Sequence, residues 1–138
     1  MANHVCDVAL VYGPLAAERS AADEGAVVEF FGNVRPLENG RRIVALEYEA
    51  HIPMAEHQLR GVAEMAARKF SLLAVTLHHR IGRVDTGETS LFLRVASLHR
   101  NTAFAASMFI VDELKKRVPI WKKPIFAEVP EAGFSIVT

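Results

Sequence analysis

The chain has one cysteine, Cys6, among its 138 residues. That excludes an internal disulfide and a thiolate zinc cluster. No apolar run approaches the roughly 20 residues needed to span a bilayer. The opening Met1-Ala2-Asn3-His4 lacks the basic and apolar segments of a secretion signal. A soluble, reduced, cytoplasmic protein is therefore expected. Net charge is also missing: Lys+Arg 16 balance Asp+Glu 16. This argues against a nucleic-acid coat or a polybasic membrane binder. Gly25, Gly32 and Gly40 are too scattered for a phosphate loop, and neither a G-x-S-x-G elbow nor an H-E-x-x-H zinc helix occurs. His78 and His79, adjacent in a strand, point to opposite faces and make poor joint metal ligands. His4 and Cys6 form a two-ligand pair near the chain start, a weak metal signal, and Cys6 reads first as a small buried hydrophobe. No metal and no cofactor is called for.

What is present is apolar and unevenly charged. A hydrophobic content of 51% with 23% charged residues excludes disorder. The length suits one domain, residues 1–138, burying roughly two thirds of its unfolded surface. Residues 1–69 carry 7 basic and 10 acidic side chains, residues 70–138 carry 9 and 6. Lys115, Lys116, Arg117, Lys122 and Lys123 place five cations in nine positions. The neutral total conceals a basic site.

Periodicity predicts a strand over Val5 to Val11, then a short helix opened by Pro14 through Glu18. Ala26 to Val34 and Ile43 to Ala50 read as strands joined through Pro36 and Asn39-Gly40, one long hairpin with a cationic tip. A helix from Pro53 carries Leu59, Val62, Met65, Ala66 and Phe70 at helical spacing. Strands follow over Leu72 to His79 and Ser90 to Ser97, divided by an Asp85–Glu88 turn. A second long helix, capped by Asn101 or Thr102, runs through Phe104, Met108, Val111 and Leu114. Pro119 ends it, and Ile120 to Val129 is the last strand. The expected fold class is α+β, a mostly antiparallel sheet with helices packed on one side.

The chemistry concentrates between His99 and Lys123. His99-Arg100 sits where a strand enters a helix N-terminus, which suits an anion; the alternative is a solvated arginine beside a structural histidine. Lys115 continues the Phe104, Met108, Val111 stripe, either snorkelling or serving as a partly desolvated amine for acid–base or nucleophilic work. Lys122 faces away from Trp121 and Lys123. His99 and Lys115 are sixteen residues apart, roughly 24 Å along a helix. One small substrate cannot touch both within one chain, so either they serve different sites or two chains build one; a symmetric dimer pairing His99 and Arg100 of one subunit with Lys115 of the other is the favoured expectation.

Several ordered motifs carry a resemblance: the run from Gly25 through Glu29, Phe30 and Phe31 to Arg35, then Leu46-Glu-Tyr-Glu-Ala-His-Ile-Pro-Met-Ala55, His79-Arg-Ile-Gly82, His99-Arg100 and Val118-Pro-Ile-Trp-Lys-Lys123. Over about residues 20–126 the chain resembles the large, catalytic subunits of molybdopterin synthase. The resemblance implies an α/β-hammerhead fold and a sulfurtransferase acting in molybdenum cofactor biosynthesis. Sulfur would pass from the C-terminal thiocarboxylate of a small ubiquitin-like carrier ending in Gly-Gly to cyclic pyranopterin monophosphate, forming the molybdopterin dithiolene. It implies a homodimer at the centre of a heterotetramer. Lys115 and Lys122 take the catalytic positions; Phe30, Arg35, His99 and Arg100 take substrate-binding positions, the last two across the dimer. Two departures stand out. Leu98 replaces a small residue often found before the His-Arg pair, with altered packing beneath it expected. The tail after Lys123 contains no Lys, Arg or Trp, unlike many relatives.

A competing reading is a non-catalytic module using the 115–123 cluster to grip RNA or an acidic protein. Zero net charge and the lack of stacking aromatics beside the cations weigh against it. A pseudo-enzyme that keeps the dimer and carrier groove is a third, opposed by the intact site residues.

Overall fold

A computed structural model describes residues 4–15 and 23–127. The expected Pro14–Glu18 helix and the end of the last strand, residues 128 and 129, extend outside these residues. The elements are β1 (Val5–Val11), β2 (Ala26–Asn33), β3 (Leu37–Glu38), β4 (Arg41–Ala50), α1 (Ile52–Phe70), β5 (Ala74–Arg80), β6 (Gly82–Asp85), β7 (Thr89–Ser97), α2 (Arg100–Arg117) and β8 (Ile120–Phe126). The α+β expectation holds, with antiparallel pairing dominant.

The strands build two sheets. The first has the order β1-β5-β7-β2 and is antiparallel except where β1 runs parallel to β5. The second centres on β4, which pairs with β3, β6 and β8. Both helices pack against each other and against the first sheet. Leu59, Val62 and Ala66 of α1 and Ala103, Ala106, Ile110 and Leu114 of α2 share its core with Val75, Leu77, Leu93 and Val95. A smaller core of Val34, Ile43, Leu46 and Val84 lies under the second sheet.

The helix boundaries follow local chemistry. Pro53 occupies the first turn of α1, where its missing N–H costs nothing, and the Met54 N–H reaches the His51 ring. Ser71 closes the helix in the left-handed conformation at φ 53°. The second helix begins earlier than expected: its N-cap is His99, so Asn101 and Thr102 lie inside it. The Thr102 hydroxyl instead donates to the His99 carbonyl at 3.0 Å and meets Ser97 Oγ at 2.5 Å, tying the end of β7 to the first turn. No side-chain cap hydrogen bond forms at this N-terminus.

Three further expectations change. The segment 26–50 is not one hairpin. β2 pairs with β7, from Ala26↔Ser97 to Phe31↔Phe92, and a register shift at Gly32/Asn33 releases the chain toward the second sheet. Only β3 and the start of β4 form a hairpin, with Asn39 and Gly40 both at positive φ, as a tight two-residue turn requires. The four-residue strand β6 was not anticipated, being hidden between a glycine at φ 91° and the Asp85–Glu88 turn. Finally, Phe104 and Met108 are 63% and 71% exposed. The buried face of α2 is the alanine-rich one, because small side chains let the helix approach the sheet closely and leave the larger ones outside.

Candidate active site

A cleft of about 420 Å³ opens where the two sheets and the C-terminal end of α2 meet. Phe30 enters it from β2, Arg35 from the segment after that strand, Lys115 from the last turn of α2, and Lys122 from β8. These four residues are scattered over 93 positions of sequence, and the register explains their meeting. Tyr48 of β4 lies opposite Lys122, while Trp121 and Lys123 pair with Glu49 and Glu47. Alternation along β8 therefore turns Lys122 alone of the three toward the cleft, as the strand periodicity predicts.

The basic cluster divides. Lys116 and Arg117 project from α2 to Glu113, at 3.6 and 2.5 Å, and Lys122 lies 3.2 Å from Glu38. Arg117 with Lys116 holds the partly buried Glu113 carboxyl below its ordinary range. The cations of 115–123 thus do not share one face, which disfavours a polyanion-gripping surface.

The other two expected residues lie apart from the cleft. His99 and Arg100 are exposed at the opposite end of α2 and do not line it. The approach to them is shaped by a tight crossing: a Cβ on Gly25 would lie 2.3 Å from the Leu98 carbonyl oxygen. Leu98 itself is 58% exposed, so it does not repack the space beneath the His-Arg pair as its size suggested.

Sequence reasoning missed five polar groups on the cleft wall: Asn33, Glu38, Tyr48, His79 and Ser90. Tyr48 and His79 fall inside motifs that carry the family resemblance, which was the available signal. Tyr48 Oη donates to Ser90 Oγ at 3.2 Å, and Ser90 Oγ donates to the Gly32 carbonyl at 3.2 Å. The His79 ring stands edge-on to Tyr48 at 4.9 Å, with Nδ1 donating to the Arg80 carbonyl at 2.7 Å. Burial holds the His79 pKa below its ordinary 6.5, the Arg80 carbonyl opposes that shift, and the charge on Lys115 adds to it. A neutral imidazole with Nδ1 committed to backbone leaves Nε2 as its acceptor atom. The cleft thus presents three cations, an anion, a neutral imidazole and two hydroxyls around an apolar floor.

Comparison with known proteins agrees with this geometry. Residues 5–117 match the family described as MoaE protein. The molybdopterin synthase catalytic subunit of Thermoplasma volcanium is 45% identical over 103 residues, 75% of each chain. The match spans only 54% of the Arabidopsis thaliana relative and 55% of the human one, about half of their length. Molybdopterin synthase from Staphylococcus aureus superposes at a TM-score of 0.80 with 32% identity, covering 89% of this chain and 92% of that one. The fold recurs at a TM-score of 0.69 and 21% identity, over 89% of this chain and 90% of that one, in a complex of subunits 1 and 2 of the molybdopterin-converting factor from Helicobacter pylori. With its sequence matched over residues 5–117 and its two-sheet architecture shared with solved relatives, this chain belongs to the MoaE family, the catalytic subunits of molybdopterin synthase.

Proposed function

We propose that the cleft receives the C-terminal tail of a small ubiquitin-like carrier subunit and transfers sulfur from its thiocarboxylate to cyclic pyranopterin monophosphate. The observation that carries this reading is the convergence of Phe30, Arg35, Lys115 and Lys122 from four separate segments on one cleft. The complex formed by the Helicobacter pylori subunits supports a small partner.

The chemistry needs cations. Both reactants are anionic, and a preorganised positive wall lowers the cost of bringing them together. The thiocarboxylate sulfur bonds to a pterin carbon as an oxygen substituent leaves that carbon, giving a thioester; water then adds to the acyl carbon, and the tetrahedral oxyanion collapses with C–S cleavage to a carboxylate and a pterin thiolate. Lys115 stabilises that oxyanion and supplies a proton as it collapses; Lys122 orients the tail. Phe30 and Arg35 position the pterin and its phosphate. His99 and Arg100 complete the site from a second subunit, because about 24 Å of helix separates them from Lys115 within one chain. The exposed apolar side chains Leu98, Phe104 and Met108, 58%, 63% and 71% accessible, support a homodimer whose contact covers this end of α2. The complete assembly is then a heterotetramer, two carriers flanking that dimer. It works without a bound cofactor.

The direct test mixes the protein with thiocarboxylated carrier and cyclic pyranopterin monophosphate and looks for dithiolene product. Lys115→Ala is expected to lower transfer by at least about 100-fold, the scale of a lost oxyanion donor, while carrier binding persists. Near-normal turnover by that variant would overturn the assignment of Lys115.

A further inference from the structure

Lys122 already has an anionic partner within its own chain. Its Nζ lies 3.2 Å from Oε2 of Glu38, a residue of the two-residue strand β3. The Glu38 side chain is 19% exposed and lines the same cleft, so its carboxylate stands at the wall where an incoming acidic tail meets Lys122. Among the described residues lining the cleft, Glu38 is the single carboxylate, facing three cations. Like charges a few ångströms apart disfavour each other, so a second carboxylate binds Lys122 less tightly while Glu38 holds it.

We infer that Glu38 is a built-in stand-in for the carrier's terminal carboxylate: it occupies Lys122 before the tail enters, yields it when the tail arrives, and reclaims it as the spent tail leaves. This rests on the reading of Lys122 as the tail-orienting residue. The local structure permits the exchange. β3 is held to β4 through two residue pairs only, and its turn residues Asn39 and Gly40 are exposed. Lys122 is 48% exposed, so its ion pair with Glu38 is partly screened by water and readily traded for another. Reclaiming Lys122 gives the spent carrier, now a full carboxylate, a competitor for its binding partner. Glu38 accordingly lowers affinity for the carrier and speeds its release.

The test measures binding of the carboxylate form of the cognate carrier, ending in Gly-Gly, at low ionic strength by calorimetry and by dissociation rate. Glu38→Gln is expected to bind it about two- to fivefold more tightly with correspondingly slower release, the scale of a partly exposed ion pair. A carrier lacking the two terminal glycines is expected to bind the variant and the unsubstituted protein equally. Glu38→Ala, checked for an unchanged melting temperature, is expected to move affinity in the same direction. Unchanged or weaker binding of the full carrier by both variants overturns the proposal, as does equal tightening toward the truncated carrier. Failure of the unsubstituted protein to bind any carrier overturns the functional reading itself, and this proposal with it.

Discussion

The Cys6 thiol lies beside Glu64, and desolvation, reinforced by that carboxylate, pushes its pKa up to about 12. His4 Nε2 meets Glu64 Oε1 at 2.7 Å, and Arg68 reaches the same oxygen at 3.7 Å. The sequence offered His4 and Cys6 as a two-ligand pair; the fold adds Glu64, with the three ligand atoms within 4.8 Å of one another. They are held by mutual hydrogen bonds, and the charges of Arg60 and Arg68 oppose a cation there. A thiol this hard to ionise is a poor nucleophile. Cys6 is therefore expected to resist iodoacetamide at pH 8 in the native protein and to react fully in denaturant, read by mass spectrometry. Rapid native labelling would contradict the buried, protonated state. His79 is a second residue governed by burial. Its folded pKa lies below the unfolded 6.5, so the unfolded chain binds the extra proton first as pH falls. The contribution of His79 to stability is complete above 6.5 and is lost as pH drops from there through the folded pKa. Ring-proton NMR is expected to show a midpoint below 6.5. A midpoint above it would mean the imidazole is charged in the cleft.

At the scale of elements, strand and helix positions were largely legible because periodicity is a local property. β1 spans Val5–Val11 as read from the sequence, and Pro53 opens α1. What periodicity did not reveal was which face of α2 is covered. The stripe Phe104, Met108, Val111, Lys115 and the stripe Ala103, Ala106, Ile110, Leu114 both have helical spacing, one residue out of phase. Close approach to the sheet selects the alanines. Ile110 is fully buried on that face, and Ile110→Ala is expected to cost about 2–5 kcal/mol, measured by denaturant titration. Phe104→Ala, at 63% exposure, is expected to cost far less in the isolated chain. Gly25 sets a different constraint. A Cβ there meets a backbone oxygen at 2.3 Å, and neither strand end can retreat without disturbing the β2–β7 ladder. Gly25→Ala is expected to destabilise by about 1–3 kcal/mol, seen as a lowered melting temperature.

For the whole molecule, the site depends on how two sheets and one long helix meet. Lys115 and Arg100 sit at opposite ends of α2, so the proposed centre needs two chains. Lys115→Ala and Arg100→Ala homodimers are each expected to be inactive. Mixed dimers of the two variants regain one intact site of two, giving about half the activity of an unsubstituted dimer. No recovery on mixing would place the complete site within one chain. The same fold explains how a chain with no net charge presents a cationic cleft to the proposed anionic reactants. Arg35, Lys115 and Lys122 converge, while Lys116 and Arg117 turn outward to Glu113.

The amino-acid order by itself determined most of the secondary-structure elements, the α+β class and the identities of the cationic residues, because these follow from periodicity, turn chemistry and motif spacing over short stretches. Tertiary structure decided the partners: β2 with β7 rather than β4, Glu38 on Lys122, and His79 and Tyr48 on the cleft wall. Such pairings join residues tens of positions apart. They are selected by long-range packing and burial, which no local pattern encodes.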